Sequence, residues 1–119
     1  VCGCAAERGK RLAGALEGGI NTVRLMVDPG LGVAKTTEQN MQLLARLPLC
    51  TDLGCGVVVS VSRKHMIGAV TAEATAGLRG PGTQAASLAG LALGGSIIRV
   101  HEVRGMVQAA KVWQAVHGA

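Results

Sequence analysis

The chain contains no phenylalanine and no tyrosine, and Trp113 is its one aromatic residue. Nucleic-acid modules that stack bases on aromatic side chains are thereby excluded. A core without aromatics must be built from Val, Leu, Ile, Met and Ala, which favours helical or α/β architectures. Acidic residues are few: seven against twelve Lys and Arg, for a net charge of +5. The cations are scattered rather than massed, so the excess points to small anions and not to a nucleic acid. No apolar run approaches the roughly 20 residues that span a bilayer, so no membrane association is expected. No basic segment followed by an apolar one opens the chain, so the expected location is cytoplasmic. Cys2, Cys4, Cys50 and Cys55 fall in Cys-x-Cys and Cys-x4-Cys spacings that match no common zinc site, and they read as reduced thiols. The eighteen glycines have no period, which removes collagen-like and linker readings.

What is present is a regular succession of elements within one small domain, residues 1–119. Residues 1–19 read as a helix with Ala5, Leu12 and Leu16 inward, Glu7, Arg8, Lys10 and Arg11 outward, and Gly18-Gly19 as the stop. A start so close to a helix is expected of a chain cut from something longer. An apolar strand over 23–27 halts at Asp28, and a Pro-Gly loop leads to Lys35. Thr36 and Gln39 fit a capping box for a helix over 37–47, closed by Pro48. Residues 56–61 form the strongest strand, followed by Ser62-Arg63-Lys64-His65 and a loop to Pro81. A helix over 83–93, a strand over 96–100 and a helix over 102–116 complete the chain, with Met106 and Trp113 expected in the core. The strands are continuous apolar runs, as in sheets covered on both faces. The order α-βα-βα-βα predicts an α/β fold with three parallel strands.

Each strand ends in ionisable residues: Asp28, then Ser62-Arg63-Lys64, then Arg99 and His101. Parallel neighbours bring such ends together, and this is where α/β folds handle ligands. Three cations, an imidazole and glycine N–H groups suit a phosphate-like leaving group. A lone carboxylate among cations stays ionised and accepts hydrogen bonds from an N–H-rich heterocycle. Bland roles exist for each: Asp28 and residues 62–64 as turns, Lys35 solvated at a helix start, His101 as a structural histidine. Arg99, inside an apolar run, needs a partner or an anion. His117 is expected to face solvent.

The segments 28–35 with Asn40, 62–68 and 99–103, supported by Pro81-Gly82-Thr83, resemble the C-terminal half of the dihydropteroate synthases of the pterin-binding family. The resemblance runs over nearly the whole chain. It implies part of a (β/α)8 barrel whose enzymes join p-aminobenzoate to 6-hydroxymethyl-7,8-dihydropterin pyrophosphate and release pyrophosphate with Mg2+. It implies that Asp28, Lys64 and Arg99 bind the pterin and that Arg99, Val100 and His101 line the pyrophosphate pocket. Lys64, Arg99 and His101 are the implied catalytic residues. Ser62, Arg63 and His65 would stand on the p-aminobenzoate side, with Lys35 and Asn40 as further candidates. No metal ligand is expected in this segment; the Mg2+ ligand would lie in the half of the barrel not represented. A homodimer is implied for the full-length family. The glycine loop departs from the family's frequent Gly-Phe-Gly-Phe-Gly-Lys, reading Gly30-Leu31-Gly32-Val33-Ala34-Lys35. Two other readings stand beside a partial synthase. One is a non-catalytic pterin- or phosphate-binding half-barrel that assembles with itself or a partner. The other is a pterin-family methyltransferase, which the pairing of 62–64 with 99–101 disfavours.

Overall fold

The computed structural model describes residues 2–20, 25–32, 35–51 and 54–118. Three parallel strands form one sheet in the order β1-β2-β3: β1 (Met26–Val27), β2 (Gly56–Val59) and β3 (Ile97–Ile98). Met26 pairs with Gly56 and Val27 with Val57, while Val58 pairs with Ile97 and Val59 with Ile98. The sheet is bordered by α1 (Cys2–Glu17), α2 (Thr37–Ala45), α3 (Pro48–Thr51), α4 (His65–Thr71), α5 (Gly80–Ala92) and α6 (Val103–His117). The parallel α/β architecture is the one expected, with shorter strands. Residues 23 and 24 of the expected first strand lie outside the described residues.

The core gathers on the central strand. Val57, Val59 and Val61 are fully buried against Leu31, Leu43, Leu47, Met66 and Ile67. One face of β2 is closed by this core, while Gly56 and Val58 on the other face are only half-buried. On the outer strands Met26 and Ile97 are 42% and 49% exposed, so the sheet has apolar edges. Helix α5 lies close on β2 because Gly90 presents no side chain; a Cβ there would stand 2.8 Å from Val59 Cγ1.

Local chemistry explains most element ends. Glycines end α1 as expected: the Gly19 backbone adopts φ +92°, and the Ile20 amide turns back to the Ala15 carbonyl at 3.1 Å. The capping box of α2 is formed in full, with Gln39 N donating to Thr36 Oγ1 at 3.1 Å and Thr36 N to Gln39 Oε1 at 2.9 Å. Glu102 caps α6 by accepting from Gly105 N at 2.7 Å.

Five expectations are corrected. Pro48 does not merely close α2, which stops at Ala45; it opens α3, where a missing N–H costs nothing. The stretch between His65 and Pro81 is not a loop: it holds α4 and a 3-10 turn, Ala76–Leu78, because burial of Met66 and Ile67 overrides weak helix propensity. Helix α5 starts at Gly80, with Pro81 in its first turn. Trp113 is half-buried rather than core and stacks on His117 at 4.0 Å between ring centroids; His117 itself is exposed. On α1, Glu7, Lys10 and Arg11 are exposed and Leu12 half-buried as expected, but Leu16 is 42% exposed and Arg8 half-buried, against the expectation for those two.

Candidate active site at the carboxyl ends of the strands

The parallel register sets Asp28, residues 60–64 and residues 99–101 on one rim, each just past the end of its strand. Asp28 is exposed, and its Oδ1 accepts from Gly30 N at 2.8 Å, so it shapes the turn. Its other carboxylate oxygen makes no hydrogen bond among the described residues. The loop behind it is tied down from two sides. Lys35 is half-buried, its Nζ donating to the Gly30 carbonyl at 2.9 Å, rather than lying in solvent. Asn40 is buried, and its Oδ1 accepts from Gly32 N at 2.7 Å. Asn40 thus anchors the loop through its Oδ1 while also lining the cavity between the loops.

Lys64 lies across this loop. Its alkyl stem passes over Gly32, where a Cβ would stand 2.7 Å from Lys64 Cδ, and φ at Gly32 is +82°. Lys64 Nζ donates to the Leu31 carbonyl. Burial holds the Lys64 ammonium below its ordinary pKa; the Asp28 carboxylate opposes this, and the Arg99 and Lys35 cations add to it. Asp28, Lys35, Lys64 and Arg99 thus lie within electrostatic reach at a common end of the sheet. A cavity of about 390 Å³ opens between the two loops beside Gly32, Lys35, Lys64 and His65. His65 is exposed at the start of α4.

Arg99 continues the ladder, its amide donating to the Val59 carbonyl at 2.9 Å. Its side chain is exposed rather than enclosed in an apolar run, because the strand ends at Ile98. Among the described residues the Arg99 guanidinium makes no hydrogen bond or ion pair. Val100 is half-buried. His101 Nδ1 stands 2.7 Å from Ser62 Oγ, and the His101 amide donates to the same oxygen at 3.2 Å. The buried Ser62 hydroxyl therefore faces His101, not open solvent.

Two residues that hold the 62–64 turn escaped sequence reasoning as site residues. Arg63 takes a left-handed backbone, φ 57°, which costs a non-glycine residue about 1 kcal/mol or more. Buried Thr83 accepts from the Arg63 amide at 3.0 Å, and Arg79 Nη1 donates to the Arg63 carbonyl at 3.0 Å. Arg79 also donates to the Glu73 carbonyl at 2.9 Å and the Ala74 carbonyl at 3.1 Å. Thr83 was visible only as part of a helix start. Nothing local marks Arg79, since its partner lies sixteen residues away.

Among the described residues no group of three or more His, Cys, Asp or Glu is placed to hold a metal ion. Asp28 is the one carboxylate of the candidate set, and a cationic lysine neighbours it. These residues do not fit Mg2+. Cys55 is a free thiol; the side chains of Cys2, Cys4 and Cys50 lie outside the described residues. No helix among the described residues is long and apolar enough to cross a membrane.

A parallel βα sector with polar side chains gathered at the strands' carboxyl ends is the arrangement of a parallel-barrel segment, whose ligands are handled at that end. The profile of the pterin binding enzymes matches residues 4–101. The chain belongs to that family. Over 107 residues it is 41% identical to the dihydropteroate synthase of Neisseria meningitidis serogroup C, covering 89% of this chain and 38% of that relative. It superposes on the Stenotrophomonas maltophilia dihydropteroate synthase with active site-bound imidazole with a TM-score of 0.95 at 36% identity, over 98% of this chain and 44% of that one. The Xanthomonas albilineans enzyme in complex with 7,8-dihydropteroate gives 0.90 at 39% identity, over 98% and 46%. The chain thus spans under half the length of these relatives, and its fold is a sector of their (β/α)8 barrel.

Proposed function

We propose that this chain supplies the pterin- and pyrophosphate-handling sector of a dihydropteroate synthase. The reaction joins p-aminobenzoate to 6-hydroxymethyl-7,8-dihydropterin pyrophosphate, giving dihydropteroate and pyrophosphate. The observation that carries this reading is the gathering of cations around Lys64 at the rim. Lys64 is partly desolvated and crowded by the Arg99 and Lys35 cations, with only Asp28 to offset them. The Arg99 guanidinium, exposed at this rim, makes no hydrogen bond or ion pair among the described residues, so the arrangement favours an anion. A pyrophosphate there would relieve the repulsion, and its charge grows as the carbon–oxygen bond to the pterin methylene breaks.

In this reading the open oxygen of Asp28 accepts hydrogen bonds from the pterin ring, and Lys64 contacts the pterin beside the p-aminobenzoate site. Arg99 binds pyrophosphate with its planar fork and flanks the pterin, with Val100 and His101 completing the pocket. Arg63 and His65, both exposed at the 62–65 turn, face the p-aminobenzoate carboxylate. Magnesium would be held by residues outside this chain. The apolar sheet edge at Ile97, continuous with exposed Val103 and Val107 on α6, would be covered by further barrel strands. A cytoplasmic location and a homodimer in the complete protein belong to the same reading.

Calorimetric titration of the chain with the dihydropterin pyrophosphate tests this. Arg99→Ala should weaken binding about 10- to 150-fold, the loss of one charge-assisted contact of roughly 1.5 to 3 kcal/mol. Equal affinity in the variant would remove the anion-pocket assignment.

A further inference from the structure

Ser62 Oγ makes two contacts that together determine where its proton goes. The His101 amide, at 3.2 Å, can only donate to it. His101 Nδ1, at 2.7 Å, can either donate or accept. Ser62 is buried, and among the described residues its hydroxyl proton has no acceptor other than His101 Nδ1. If Nδ1 carried a proton, the oxygen would accept twice and its own hydroxyl proton would be buried without a partner, a costly arrangement. If Nδ1 is bare, every group is satisfied: the amide donates to the serine, and the serine donates to the ring.

We propose that Ser62 is a positioning residue that holds His101 as the Nε2–H tautomer. The exposed edge of the ring, away from Ser62, then offers a hydrogen-bond donor to an anion at the rim while the ring is neutral. The register supports the pairing independently. Val59 pairs with Ile98, and Ser62 and His101 each stand three residues further on, so the contact continues the ladder past its last strand pair. The role deepens the proposed function and rests on it for the identity of the anion. It gives Ser62 a task on the pyrophosphate side, where the resemblance placed it on the p-aminobenzoate side.

Long-range 1H–15N correlation spectra of the full chain, labelled at histidine, read the tautomer directly above pH 8. His101 should show a protonated Nε2 and a bare Nδ1. Ser62→Ala should convert this to a tautomer mixture, and Ser62→Thr, which keeps the hydroxyl, should restore the single form. Titration with inorganic pyrophosphate should show about a 5- to 10-fold loss of affinity in Ser62→Ala, recovered in Ser62→Thr. A protonated Nδ1 in the unsubstituted chain overturns the proposal, whatever the variants do. So does an unchanged tautomer in Ser62→Ala. If the tautomer behaves as expected but pyrophosphate binds to none of the proteins, the positioning role of Ser62 holds, and it is the pyrophosphate reading of the rim that fails.

Discussion

Replacing Gly68 with alanine should destabilise the 62–71 region, although alanine is the better helix former. A Cβ on Gly68 would stand 2.5 Å from Arg79 Nη2, 2.6 Å from Cζ and 2.7 Å from Nε, so the guanidinium must leave its seat. It would abandon three carbonyl acceptors, those of Arg63, Glu73 and Ala74. At about 0.5 to 1.5 kcal/mol each for partly exposed bonds, the loss is roughly 2 to 4 kcal/mol. Helix propensity returns about 1 kcal/mol, leaving a net cost of about 1 to 3 kcal/mol. Hydrogen exchange of the α4 amides should therefore accelerate by about 5- to 150-fold in Gly68→Ala. The sign should invert when the obstacle is removed: in an Arg79→Ala background, adding Gly68→Ala should slow exchange by up to about 5-fold, because only the propensity gain remains. Equal effects of Gly68→Ala in both backgrounds, or protection from the single substitution, would refute the account of Arg79 as the clamp on the turn.

Lys64→Met should raise the thermal midpoint at pH 7. The folded-state pKa of Lys64 lies below its ordinary 10.5, so the charged form is disfavoured by folding below that folded pKa, and the cost fades as pH rises towards 10.5. The advantage of the variant should shrink over that alkaline window; a gain independent of pH would contradict the burial argument. Asn40→Ala leaves the Gly32 amide without its acceptor and should cost about 1 to 3 kcal/mol in urea unfolding, whereas a neutral outcome would show that the loop is held otherwise. The exposed apolar edge at Ile97, Val103 and Val107 should make the isolated chain self-associate in sedimentation runs, and Val107→Glu should suppress it. A monomer at all concentrations would count against an uncovered barrel edge.

The parallel sheet could be read in advance because its central strand is an unbroken β-branched run and its helices carry local punctuation, as at Thr36 and Gln39. The rim could be read because three strands in succession end in ionisable residues, and register does the rest. What escaped depends on distant partners. Helix α4 has no side-chain cap and a glycine within it, and its first turn is held by burial of Met66 and Ile67 in the core. The clamp of Arg79 on the Arg63 carbonyl spans sixteen residues, and the Ser62–His101 pair spans thirty-nine. The second becomes computable once Val59 is known to pair with Ile98; no pattern within either segment announces it.

The central claim is that Asp28, Lys64, Arg99 and His101 form one catalytic rim of a dihydropteroate synthase barrel. The most direct test is turnover by a chimera in which this chain replaces the matching segment of the Neisseria meningitidis relative, to which it is 41% identical. The chimera should form dihydropteroate, and Lys64→Ala or Arg99→Ala within it should lower turnover by about 100-fold or more. A folded chimera that makes no dihydropteroate, or one that turns over equally well without Lys64 and Arg99, would contradict it.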